Sequence, residues 1–286
     1  MPLKPSIVGY ESPRFDYDID ARWLMAYAAG VGDPSAHYRD STRELAMHPV
    51  FPVCVEWDAV LAVLAATRTH GLSAEECARS VHAEHDLHIL RPLRAGERVT
   101  CQARIISAEQ RKPGAFIVMQ LDTRDAAGAL CSRTWQGNLF RDVALEGSPQ
   151  PRALQPAWPS QAAADAATRA APIDIPLHAA HVYTECSRIW NPIHTDRAYA
   201  QAAGLPEIIL HGTATLACAI SALLALPPGP SPTRVRRLGG RFSGMVWLPD
   251  QLRLETTADA SGGECFRVLN RAGHATISRG FCCFDA

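Results

Sequence analysis

YTECSRIWNPIHTDRAYAQAAGLPEIILHGTATLACAISALLA, Tyr183 to Ala225, is the stretch whose reading decides the fold. It opens inside a helical segment, Ala179 to Ser187, that ends in the polar turn RIWNPIHTD. A short helix follows from Asp196 to Ala203 and stops at Gly204, a residue suited to the left-handed cap. From Gly212 to Leu226 runs a longer helix with apolar residues on nearly every face. Such a helix has to be wrapped by other structure. Three strand candidates come after it: LGGRFSGMV, DQLRLETTADA and ECFRVLNRAGHATISRGFCCFD, the last a hairpin turning near Arg271 to Gly273. A curled antiparallel sheet around one helix is the arrangement these signals predict.

The first half has the same plan. Ile19 to Val31 carries Trp23, Ala26, Tyr27 and Gly30 at helical spacing, the turn GDPSAHYRD follows, and FPVCVEWDAVLAVLAAT leads into a second apolar helix. LHILRPL, ERVTCQARIISAE, AFIVMQLDTRD and LCSRTWQGNLF then read as strands. Between the halves lies a stretch rich in Pro, Ala, Ser and Gln. The division expected is a first unit at 1–142, a linker at 143–175 and a second unit at 176–286. The fold class is α+β, two helix-in-sheet units whose sheets can pair edge to edge and so leave fewer open edges.

Composition narrows the function. With 28 basic and 29 acidic residues and a net charge of -1, nothing favours nucleic acid or an anionic membrane surface. The nine cysteines form no C-x-x-C pair, and the opening MPLKPSIVGYESPRF lacks the apolar core of a secretory leader. The reading is a soluble, cytoplasmic chain with free thiols and no disulfide framework.

Asn191, Pro192, Ile193, His194, Asp196, the pair Ala203-Gly204 and the run Leu210-His211-Gly212 resemble the signature of the MaoC-like dehydratases and (R)-specific enoyl-CoA hydratases. In the first half GVGDPSAHYRD, FPVCVEW and HILRPLRAGERV resemble the non-catalytic partner unit of fused family members, which shapes the acyl tunnel. The resemblance implies a double hot-dog fold and a hydro-lyase of fatty acid metabolism acting on an acyl-CoA or acyl-carrier thioester. It implies no cofactor beyond that carrier, and a homodimer. It also gives His194 the acid-base role and the Gly212 amide the oxyanion, with Asn191 holding the turn.

The family's catalytic Asp would stand five residues before His194, where this chain has Ile189, and the preceding Gly is Arg188. Three readings stay open. Glu185, one helical turn before Ile189, can substitute as the acid. His194 can act alone on a substrate that needs one proton shuttle, in an isomerisation, an elimination of an acidic α-proton or a thioester hydrolysis. Or the chain binds an acyl-CoA without turnover, as the partner of an active enzyme. Trp190, Ile189 and His211 are candidate substrate contacts, and Arg236 and Arg237 candidate phosphate ligands. Asp33 and His37, four apart where the family spacing is five, read first as a turn or helix cap and are the second-site candidate should the second half prove inert. His82, His85 and His88 do not share a face on a regular strand, so no metal is expected.

Overall fold

The computed structural model describes residues 2–149, 155–159, 168–227, 229–259 and 262–285. The first unit runs β1 (Phe15–Asp18), α1 (Ala21–Gly30), α2 (Ala36–Arg39), α3 (Pro52–Thr69), α4 (Ala74–Ala78), β2 (Ser80–Ile89), β3 (Arg98–Arg111), β4 (Gly114–Asp125) and β5 (Leu130–Arg141). The second runs β6 (Arg169–Ile175), α5 (Ala179–Ser187), α6 (Arg197–Ala202), α7 (Gly212–Ala225), β7 (Val235–Phe242), β8 (Asp250–Ala258), β9 (Glu264–Leu269) and β10 (Ala275–Phe284). All ten strands form one antiparallel sheet in the order β1-β3-β4-β5-β2-β7-β10-β9-β8-β6. Read from either edge inward, the two halves use the same permutation of strands. They meet at β2 and β7, registered from Glu84 opposite Arg241 to His88 opposite Arg237. This is the α+β pairing of two helix-in-sheet units that the repeat predicts, and the double hot-dog fold that the resemblance implies.

The helices form where capping and apolar content place them. Asp20 caps α1 by accepting from the Trp23 amide, and Asp196 caps α6 by accepting from the Tyr199 amide. Helix α3 packs on β3, β4 and β1, while α7 packs on β6, β8, β10 and β7. Helix α3 thus lies over the first half of the sheet and α7 over the second. Helices α1 and α5 pack against each other across the halves, so closely that a Cβ on Gly30 would come within 2.6 Å of the Cys186 Cβ.

The expected linker is too long at both ends. Val143 is buried and Leu145 bridges to Leu3, so the first unit extends past 142. Arg169–Ile175 form β6, paired with β8 at the sheet edge. Ile173 and Ile175 point into the core there, and an edge is where Pro172 is tolerated, because its missing N–H breaks no inner ladder. Much of the rest of the linker lies outside the described residues; Gln155 to Pro159 lie over the sheet, with Ala157 O accepting from Arg237 and Trp158 edge-on to Phe281. Strand β2 also begins earlier than LHILRPL. A bulge between His82 and Glu84 breaks the strict alternation, so His82 and His85 do share a face, with rings 5.3 Å apart.

Candidate active site

Helix α5 ends at Arg188, whose φ of 61° is the left-handed conformation that favours glycine. A non-glycine residue there costs about 1–2 kcal/mol. Its guanidinium stacks 4.0 Å above the Trp23 ring of α1, which offsets part of that cost and ties the turn to the first half. The Ser187 hydroxyl donates to the Tyr183 carbonyl and accepts from the Ile189 amide, and the Ile189 side chain is buried in the core. Asn191 Oδ1 then accepts from the Ile193 amide and caps the single 3₁₀ turn Pro192–His194. This turn presents His194 to the start of α7.

His194 Nδ1 lies 2.8 Å from the Ile209 carbonyl oxygen. A carbonyl only accepts, so Nδ1 carries the proton and Nε2 keeps its lone pair. Nε2 makes no hydrogen bond among the described residues. Burial lowers the His194 pKa to about 4, against a smaller upward pull from the Ile209 bond, so the ring is a neutral base at physiological pH.

The His211 ring stacks on it with centroids 3.6 Å apart. His211 is itself driven well below the ordinary imidazole range, by burial first and by His194 second. Two stacked imidazoles in one buried site cannot both carry charge. Thr184 lies 3.3 Å from His211 Nε2.

Gly212 is the first residue of α7, and its amide, at the positive end of the helix, has no intrahelical acceptor. A Cβ at this position would sit 3.3 Å from the Phe242 ring, so Gly leaves room beside the amide. The Tyr183 hydroxyl donates to Thr213 Oγ1 at 3.0 Å, and Tyr27 of the first half approaches Tyr183 at 3.5 Å. Neutral base, free helix N-terminus and a wall from both halves therefore meet at one place.

The remaining candidates divide. Ile189 is buried beside this turn, whereas Trp190 is 57% exposed. Glu185 is exposed on α5, and it is the neighbouring Thr184 that reaches His211. Arg237 is committed elsewhere: it makes two 2.8 Å bonds to Asp86, which is fully buried on the sheet face away from the helices. Burial alone would raise the Asp86 pKa, but the Arg237 bonds, with help from His88, hold it below the usual carboxylate range. Arg236 pairs with Asp285 and with the Thr233 carbonyl. Both guanidinium groups are thus engaged by acids of other strands, Arg237 by Asp86 of β2 and Arg236 by Asp285 just beyond β10.

Asp33 and His37 do not pair. His37 is exposed on α2, and the Asp33 charge acts instead on His48, Tyr38 and Cys218. His48 was not signalled by the sequence. It is buried, accepts from the Val50 amide at Nδ1 and contacts Ser221 Oγ at 3.1 Å through Nε2. With Nδ1 accepting, the neutral ring's Nε2 is the donor, so Ser221 is not activated as a nucleophile.

Comparison with known proteins now separates the halves. Residues 160–270 match the family model described as MaoC like domain. The second half is a MaoC-like domain. Residues 6–130 match the FAS1-like, dehydratase domain region. A MaoC-like dehydratase structure from Phytophthora capsici superposes with a TM-score of 0.83 at 23% identity, covering 96% of this chain and 95% of that one. The mouse peroxisomal multifunctional enzyme type 2 is 24% identical over 96% of this chain, and the alignment covers 37% of the mouse protein. The peroxisomal enoyl-CoA hydratase 2 of Arabidopsis thaliana is 39% identical over 23% of the chain and 21% of its own length. The chain thus spans well under half the length of these curated relatives. Among the described residues no helix is long and apolar enough to cross a membrane.

Proposed function

We propose that the chain is a hydro-lyase that adds water to 2-enoyl thioesters, or removes it from 3-hydroxyacyl thioesters, with His194 as its sole proton carrier. The observation that carries this reading is the fixed tautomer of His194, whose Nε2 lone pair stays free beside the open α7 N-terminus. In hydration, Nε2 takes a proton from water as the water oxygen bonds to Cβ. The π electrons move to the thioester oxygen, and the Gly212 N–H receives the developing charge. The imidazolium then returns the same proton to Cα on the same face, so addition is syn and atoms balance without a second acid. Dehydration runs the steps in reverse.

MaoC-like and hydratase relatives support the reaction class. The acyl carrier, CoA or a carrier protein, is part of the substrate, and no further cofactor enters the chemistry. The nine free cysteines suit the reducing conditions of the cytoplasm, and the family resemblance points to a homodimer. Lacking the partner carboxylate, the site should turn over about 10²–10⁴ more slowly than a two-residue one.

Ile189 favours one competing reading, an acyl-thioester binder that does no chemistry. A panel of 2-enoyl-CoA substrates, followed by loss of the enoyl absorbance, separates the two. Turnover by wild type that His194→Ala abolishes while thioester affinity survives supports the enzyme. Tight binding with no turnover by wild type refutes it.

A further inference from the structure

At the middle of the sheet, the inner face, on the side of the helices, is formed by β5, β2 and β7. From Gly212 a run of ring contacts extends along this face. The Phe242 ring lies against Gly212, His82 packs edge-on to Phe242 with centroids 4.7 Å apart, and His85 packs edge-on to His82. Beside them on β5, Gln136 is registered opposite His85 and Asn138 opposite His82. Gln136 donates to Asn138, and Asn138 donates to Ser80.

His85 is fully buried, yet neither of its ring nitrogens has a hydrogen-bond partner, and His82 Nε2 is likewise buried and unpartnered. Both side chains stand on the face that carries Leu87 and Ile89 into the core, where leucine would satisfy packing at no polar cost. A seam of orphaned imidazoles leading away from the reacting end is the signature of a site that expects a hydrogen-bonding guest.

We infer that the face from Phe242 through His82 to His85 is the subsite for the distal part of the acyl group, and that it selects acyl chains bearing a hydroxyl. This rests on the proposed thioester chemistry at His194 and Gly212. A neutral imidazole offers one donor and one acceptor, which a hydroxyl matches with its own O–H and lone pairs. A ketone would use only the donor. A carboxylate would need a charged partner, whereas burial keeps His85 neutral, with its pKa lowered to about 4. An unsubstituted chain would leave the nitrogens dry and unpaired.

The test is binding, so that it does not depend on turnover. Calorimetry compares ω-hydroxyacyl-CoA and plain acyl-CoA across a series of chain lengths with wild type, His85→Leu and His82→Leu. At the length that reaches His85, the hydroxylated thioester should bind wild type on the order of 10–100-fold tighter than its plain counterpart. His85→Leu should erase or invert that ratio.

Equal or weaker binding of the hydroxylated ligand to wild type at every length overturns the inference, as does a ratio that His85→Leu leaves unchanged. The wild-type ratio stands as a test even where a variant fails to fold. Preference without turnover would sink the hydratase reading alone, and turnover without preference would sink the subsite alone. Failure to bind any CoA thioester would sink both.

Discussion

Replacing Glu56 by glutamine should make the protein more stable at alkaline pH. Glu56 sits on α3 at 2% exposure, and its carboxylate accepts a 2.5 Å bond from Thr134 Oγ1. Burial raises its pKa from 4.5 to about 7, and the Thr134 bond offsets only part of that rise. A group whose pKa is higher folded than unfolded binds more protons in the native state. Its contribution is therefore fully present below the unfolded value and is lost as pH rises through the folded value. A shift of that size is worth about 3 kcal/mol, most of it lost between pH 5 and 8, roughly 2–3 kcal/mol over that interval. Urea denaturation of wild type and Glu56→Gln at both pH values isolates this term, because the buried histidines titrate alike in both proteins. The two should be of similar stability near pH 5, and the variant about 2–3 kcal/mol more stable at pH 8. A variant less stable than wild type at pH 8 would refute the reasoning, since the ionised carboxylate would then be a favourable partner for Thr134.

Three further outcomes are expected. Gly212→Pro fits the first helical position, because His211 already has an extended ψ of 139°, and it removes the N–H. It should lower kcat about 10²–10³-fold with far-UV circular dichroism unchanged. Arg237→Met leaves the buried Asp86 with only His88 beside it and should cost about 3–5 kcal/mol in urea denaturation, with CoA-thioester affinity unaltered. Loss of affinity without loss of stability would return Arg237 to the phosphates. Ile189→Asp places a carboxylate within the buried turn and should raise the His194 pKa, moving the acid limb of kcat/KM to higher pH.

Much of the fold was legible because local signals agreed with it. The apolar helices, the cap at Asp196, Gly204 beyond α6 and the Asn270–Gly273 turn are each written in a few consecutive residues; in that turn Asn270 Oδ1 accepts from the amides of Ala272 and His274. Edge strand β6 was hidden by Pro172 and its alanines, which read as linker. The start of β2 was hidden because HAEHD is polar: His82 and His85 stand on the buried face that runs from Phe242, while Glu84 and Asp86 pair with arginines on the opposite face.

At the site, the absence of the family Asp at Ile189 was visible from the family resemblance, five residues before His194. What spacing could not give is the partner of each polar group. Arg237 was exposed to misreading because Asp86 stands 151 residues earlier, and His48 went unseen because Ser221 stands 173 residues later. The parity rule for His82 and His85 failed at a bulge that no residue type announces.

The most direct measurement is the pH dependence of kcat/KM for 2-enoyl-CoA hydration by wild type, repeated with Glu185→Gln. A single imidazole base predicts one limb, with activity flat above it and falling as pH drops through about 4, superimposable in the two proteins. A bell-shaped profile, or a limb that moves or vanishes in Glu185→Gln, would show a second titrating group at work and contradict the claim that His194 acts alone.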